Sequence, residues 1–118
     1  MRYLLMAMED RSAFEARDDP GRAEGYWQSW TDYIALLTEA GVLTAAGGLQ
    51  PPSTATTVRA GDGARTVQDG PFADTKEQLG GYFVIEVEDL DAALAWAARC
   101  PSVDRGSCEV RPLIPPQP

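Results

Sequence analysis

The sequence predicts one α+β domain, with helices packed on an antiparallel sheet. Three observations carry that reading. Two apolar runs, residues 2–8 and 82–87, are short enough to be buried strands, and helix-forming sequence follows each. Between them Tyr26, Trp30, Tyr33, Ile34 and Leu37 recur at three- and four-residue steps and make one apolar stripe. Turn signals rich in Gly and Pro separate several shorter β-type runs.

Taken in order, residues 2–8 form the first strand. Residues 9–21 are charged and end in Asp18-Asp19-Pro20-Gly21, a turn signal. The long helix spans residues 22–40, and Gly41 stands where a left-handed C-cap belongs. Residues 42–49 read as a strand with an irregular end before Gln50-Pro51-Pro52. Residues 53–59 alternate Thr and Val as a strand does, Gly61-Asp62-Gly63 signals a hairpin, and residues 65–68 return. Residues 82–87 are the clearest strand. Asp89 caps a second helix in which Leu90, Leu94 and Ala97 share a face with Ala93, and Pro101 stops it. Residues 108–113 supply the last strand. The domain is expected to span residues 1–114, leaving 115–118 as a Pro-rich tail.

An internal echo organises these elements. Tyr3-Leu-Leu-Met-Ala-Met-Glu-Asp10 parallels Tyr82-Phe-Val-Ile-Glu-Val-Glu-Asp89: an aromatic start, an apolar run, then Glu-Asp before a helical segment. Two βα units, each followed by strand material, suggest the split βαβ arrangement of ferredoxin-like folds. The strand cores are apolar at successive positions, so both sheet faces call for burial. Pairing two sheets face to face satisfies that demand, and a homodimer is expected.

Composition bounds the function. At 118 residues there is room for one domain. The net charge of −8 and the scatter of Lys and Arg give no basic stripe, which argues against direct nucleic-acid binding. Residues 3–8 are too short for a secretory apolar core, and no run approaches a membrane span, so a cytoplasmic protein is expected. Cys100 and Cys108 flank a short loop. A disulfide across it is conceivable, but reduced structural thiols are the expectation. With no histidine and no zinc spacing, no metal is expected.

The most distinctive stretch is Asp69-Gly-Pro-Phe-Ala-Asp-Thr-Lys-Glu-Gln-Leu-Gly-Gly-Tyr82. It resembles the DGPF signature of the YCII-related family. The likeness extends back through Leu49-Gln-Pro-Pro-Ser-Thr-Ala-Thr-Thr-Val-Arg59 and forward through residues 86–101 and Glu109-Val-Arg-Pro-Leu113. It implies a ferredoxin-like fold pairing into a dimeric α/β barrel. Asp74 stands where the family more often has Glu. Members close to the family's namesake carry a His-Asp pair proposed to be catalytic, and a chain without His cannot supply it. The DGPF subgroup is encoded beside extracytoplasmic-function sigma factors, so the resemblance also implies a regulatory or stress-linked setting.

Asp69 is the first candidate for chemistry. It ends a strand before Gly70 and Pro71, where a desolvated carboxylate would act as general acid or base. The alternative is an Asx-turn bonded to its own following amides. Lys76 would anchor an anion and Glu77 relay a proton, on a segment read as a helical turn; both also suit a solvated surface. Arg59 and Arg111 sit on strands where a guanidinium can clamp a carboxylate ligand or pair with an acidic neighbour. Gly80-Gly81 permits a bulge or a close ligand approach. Tyr26, Trp27 and Trp30 read first as core or dimer contacts and second as the wall of an apolar pocket. No phosphate-binding loop or nucleophile elbow is present.

Two functions follow. One is a small-molecule-binding accessory factor tied to sigma-factor regulation. The other is a cofactor-free lyase, isomerase or dehydrochlorinase acting on a small organic molecule. The expected partners are a second copy of the chain and a small anionic ligand, with no cofactor, no nucleic acid and no membrane.

Overall fold

In a computed structural model of the chain, the described residues are 1–71 and 73–116. Phe72 of the motif and Gln117 and Pro118 of the tail lie outside them. The elements run β1 (Arg2–Glu9), α1 (Arg11–Ala16), α2 (Ala23–Glu39), β2 (Leu43–Gly48), β3 (Thr56–Gly61), β4 (Ala64–Asp69), β5 (Gln78–Glu86), α3 (Leu90–Ala97) and β6 (Gly106–Pro112). Short 3₁₀ turns at Pro52–Thr54 and Pro101–Asp104 join some of them.

Four strands form one sheet in the order β2-β5-β1-β6, with every neighbouring pair antiparallel. Each central strand leads through helix to an outer strand on the far side of the other, which is the split βαβ topology of ferredoxin-like folds. Strand period sets the core. Tyr3, Leu5, Ala7 and Glu9 point to the helix-covered face and are buried, opposite Ile85, Phe83 and Gly81. From α2, Tyr33 and Leu37 close over them, and Trp30 stacks on Phe83 with ring centroids 5.8 Å apart.

The other sheet face carries Leu4, Met6, Met8, Tyr82 and Val84, all part-buried, with no helix over it among the described residues. β3 and β4 form a separate two-stranded sheet. Their turn places Asp62 at φ 39° and Gly63 at φ 79°, both in the left-handed region that a two-residue hairpin of this type requires. The hairpin projects from the body, with Val58 and Val67 paired across it and 56% and 69% exposed.

Three readings are corrected. Residues 9–21, read as a charged stretch ending in a turn, open with a helix: Asp10 caps α1, its Oδ1 accepting from the Ala13 amide at 2.9 Å. Asp89 caps α3 in the same way, so the echo is a repeated capping device. On α3 the buried positions are Ala93 and Ala97, while Leu90 and Leu94 are each 47% exposed. Small alanines let the helix approach the sheet closely, and the leucines lie on its outer flank. The segment around Lys76 and Glu77 is a bend leading into β5, with no helical turn.

Burial also sets a pH limit. The Tyr33 hydroxyl donates to the Trp96 carbonyl at 2.7 Å, and burial raises its pKa strongly, with the nearby thiols adding and Arg99 opposing. Tyr26 is raised as well. A folded pKa above the unfolded value of 10.0 gives stability that is complete below that pH and lost as pH rises through the folded values. Denaturant melts are therefore expected to show stability falling above about pH 10. An ultraviolet titration should find Tyr26 and Tyr33 resisting ionisation until the protein unfolds.

Candidate functional site

A carboxylate at a core-facing strand position needs partners, and Glu9, only 1% exposed, has them. The Tyr26 hydroxyl lies 2.8 Å from both its oxygens and donates its one proton between them, and Arg17 Nη2 approaches Oε1 at 3.3 Å. Arg17 follows α1, whose cap at Asp10 fixes where the chain returns over Glu9. Its Nε donates to the Tyr26 oxygen at 3.0 Å, Nη1 to the Leu49 carbonyl at 2.5 Å, and Nη2 to the Gly80 carbonyl at 3.2 Å. The rings of Phe14, Trp27 and Tyr26 lie 4.9–5.5 Å from the guanidinium carbon. One ion pair thus ties together β1, the segment after α1, α2, the end of β2 and β5.

A bulge makes room for it. Ala7 pairs with Gly81 and Met8 with Leu79, so Gly80 is the extra residue on β5. A Cβ at Gly80 would collide with Glu9 Oε1 and lie 3.2 Å from Arg17 Nη2. The Gly80-Gly81 pair therefore permits both the bulge and the approach of the buried charges. Burial is the largest influence raising the Tyr26 phenol; the bond from Arg17 opposes it and the Glu9 carboxylate adds to it.

Among the cavities that adjoin this network, two lie against the β5 end of it. The first, about 540 Å³, lies between α2 and the strand ends, walled by Trp27, Trp30, Ile34, Leu49, Pro51 and Gly81, with Arg17 and Tyr26 also lining it. Its volume suits a ring-sized organic molecule. A guanidinium has five N–H donors, and Arg17 uses four on protein groups, which leaves one Nη1 hydrogen for a ligand. The second is a broader, more polar cleft of about 990 Å³ lined by Glu9, Asp69, Pro71, Asp74 and Lys76 among others. Asp18 and Pro51 line both. Carboxylate, phenol and guanidinium form one hydrogen-bonded chain in which the cation balances the buried negative charge.

Asp69 and Lys76 thus share the second cleft, and both are exposed. The Asx-turn alternative loses its nearest donors. The Gly70 amide donates to the Ala55 carbonyl at 2.6 Å, and Pro71 has no amide hydrogen. The next amide, that of Phe72, lies outside the described residues. Glu77 accepts from the Ser107 hydroxyl at 2.6 Å and lines neither cavity. Arg59 is exposed on the hairpin, and Arg111 pairs with Glu109 at 3.1 Å beside the open sheet face. The fold does not bring these two to either cavity, because each belongs to a surface remote from the bulge. Sequence reasoning passed over Glu9 and Arg17. The available signal was Glu9 itself, which continues the inward alternation of Tyr3, Leu5 and Ala7.

The fold and the cavity together define a ferredoxin-like α+β protein with a ligand-sized space beneath its long helix. The chain belongs to the YCII-related family, whose domain model matches residues 1–117. It is 46% identical over 77 residues to an uncharacterized protein of Rhizobium meliloti (strain 1021), a match covering 64% of this chain and 62% of that relative's length. Among solved structures it is similar to a 5-chloro-2-hydroxyhydroquinone dehydrochlorinase (TftG) from Burkholderia phenoliruptrix AC1100 in complex with 2,5-dihydroxybenzoquinone. That likeness has a TM-score of 0.55 and 14% identity, over 97% of this chain and 94% of that one. At that identity it speaks to the fold alone. No helix among the described residues is long and apolar enough to cross a membrane.

Proposed function

We propose that the chain is a small-molecule-binding protein whose first cavity takes a planar, ring-sized organic molecule bearing an anionic or hydrogen-bond-accepting group. The observation that carries this is the aromatic wall of Trp27 and Trp30 in a cavity that is also lined by Arg17, whose four hydrogen bonds to protein groups leave one Nη1 hydrogen. The hydroxylated quinone bound by the dehydrochlorinase has the size and chemistry of such a ligand, which makes it a suitable probe. Isothermal titration of the protein with 2,5-dihydroxybenzoquinone should show saturable binding. Trp27→Ala, at a half-exposed ring, should weaken it roughly threefold to tenfold by loss of one stacking contact. Absence of binding, or equal affinity in the variant, contradicts the reading.

A second reading adds turnover: a cofactor-free lyase, isomerase or dehydrochlorinase in which Asp69 moves a proton and Lys76 holds an anion. It is favoured by Glu9, which lines the Asp69 cleft and hydrogen-bonds to Tyr26 on the wall of the first cavity. Asp69→Asn should keep stability and ligand binding but lose turnover. An unchanged turnover rate removes Asp69 from the chemistry. Nothing among the described residues speaks for a sigma-factor partner, so the proposal rests on ligand binding. The residues 69–82 support placement in the DGPF subgroup.

The assembly proposed is a homodimer pairing the two open sheet faces into an α/β barrel. The uncovered row of Leu4, Met6, Met8, Tyr82 and Val84 supports it. Sedimentation should give a dimer at micromolar concentration, and a stable monomer overturns the assembly.

A further inference from the structure

A third cavity, of about 480 Å³, lies where α1 meets the start of α2. Ser12 and Ala13 of α1, Gly25 and Tyr26 of α2, Arg22 before α2 and Arg105 after the second 3₁₀ turn line it. The backbone places Arg105. Its amide donates to the Ser102 carbonyl at 3.1 Å, and its carbonyl accepts from the Asp10 amide at 3.2 Å. Those bonds tie it to the cap of α1, and its guanidinium lies over the Tyr26 ring, 4.7 Å from the centroid.

Acidic residues outnumber basic ones by 18 to 10, yet among the described residues Arg105 makes no ion pair and its side chain no hydrogen bond. Its Nη1 is buried without an acceptor. The ring face offsets part of the cost of this part-buried cation but does not satisfy the N–H donors of its planar fork. An unsatisfied buried donor is costly, and the fold keeps one on a residue that lines a cavity. Arg22 adds a second cation. Asp19 holds it at 3.1 Å, and its Nη1 donates to the Ser12 hydroxyl oxygen at 3.3 Å, which leaves the Ser12 O–H to donate elsewhere. Among the described residues no carboxylate lines the cavity. The space over Gly25 is open, since a Cβ there would meet nothing within 4 Å.

We propose that this cavity binds the oxyanion group of a small molecule, a phosphate or a carboxylate, with Arg105 as its principal partner. Such a group supplies the acceptors that the guanidinium lacks, and a planar fork pairs with two of its oxygens at once. The Ser12 hydroxyl and Arg22 complete the set of donors. The site is separate from the aromatic cavity beneath α2, with Tyr26 as a wall of both. A guanidinium kept for a ligand contributes little to the fold. Arg105→Met, which keeps an apolar chain over the Tyr26 ring, should therefore melt no lower than wild type while losing the anion.

The test titrates the full chain with inorganic phosphate and, separately, with acetate, at low ionic strength so that screening is weak, and follows amide chemical shifts. At least one probe should give saturable changes that are largest at Ser12, Gly21, Gly25 and Arg105, and the tighter probe identifies the source of the group. Arg105→Met should weaken that binding by about tenfold or more. Arg65→Met removes an equal charge from the exposed hairpin and should bind as wild type does. Saturation by neither probe overturns the proposal, as does equal weakening in the two variants or a lower Tm in Arg105→Met with binding unchanged. The wild-type map is read without any variant, so a variant that fails to fold leaves the test standing. The quinone probe is directed at the other cavity, so failure here and failure of the ligand proposed there are told apart.

Discussion

Arg17→Ala is expected to destabilise the fold by about 3–5 kcal/mol, the cost of removing one partner of a buried ion pair. Arg17 and Glu9 have side chains 8% and 1% exposed, so the loss strands a carboxylate that water does not reach. The same change frees the Leu49 carbonyl, reduces what the Gly80 carbonyl accepts and empties the space between three aromatic rings. Urea denaturation should show a lower midpoint with an unchanged slope, since the surface exposed on unfolding is nearly the same. Arg17→Lys keeps the charge but cannot reach Tyr26, Leu49, Glu9 and Gly80 together, and should fall between the two. The double variant Glu9→Gln with Arg17→Met removes both charges and should recover part of the loss. If Arg17→Ala is as stable as wild type, the network is not what ties the five segments together.

Gly80→Ala is expected to cost about 1–3 kcal/mol through overpacking. The new methyl would meet the Glu9 carboxylate, which the Tyr26 hydroxyl and Arg17 hold in place. Any shift that relieves the collision moves Arg17 and the floor of the first cavity. The variant should therefore bind the quinone probe more weakly than its stability loss alone would suggest. Gly61→Ala is the matched control, because a Cβ there meets nothing within 4 Å and Gly61 lines neither cavity. Equal melting behaviour and equal affinity in the two variants would contradict the proposed packing.

The strands, the long helix and their order were legible because each follows from local period. Two-residue alternation in β1 and the aromatic stripe of α2 are burial patterns written in neighbouring residues. The uncovered apolar sheet face was likewise readable from consecutive apolar positions. What escaped was long-range. Glu9, Arg17, Tyr26, Leu49 and Gly80 lie between positions 9 and 80 of the chain and meet at the bulge of Gly80. Arg17, within a charged stretch, gives no local sign that its charge is buried. Asp69 drew attention because it stands in a distinctive motif, and it does reach a cleft, one wall away from the aromatic cavity. Arg59 and Arg111 drew attention as strand cations, but a strand position alone does not say whether a side chain faces a cavity, an open sheet or solvent. The bounds of α1 were not legible because six residues show less than two turns of period, although the echo placed a helical segment after Glu9-Asp10.

The central claim is that the space beneath α2, rather than the cleft beside Asp69, receives the ligand. Amide chemical-shift mapping with 2,5-dihydroxybenzoquinone addresses it directly. The account predicts that the largest changes fall on Gly48, Leu49, Gly80, Gly81 and the Trp27 indole, saturating together. Largest changes at Asp69, Asp74 and Lys76, with those five signals unmoved, would contradict it.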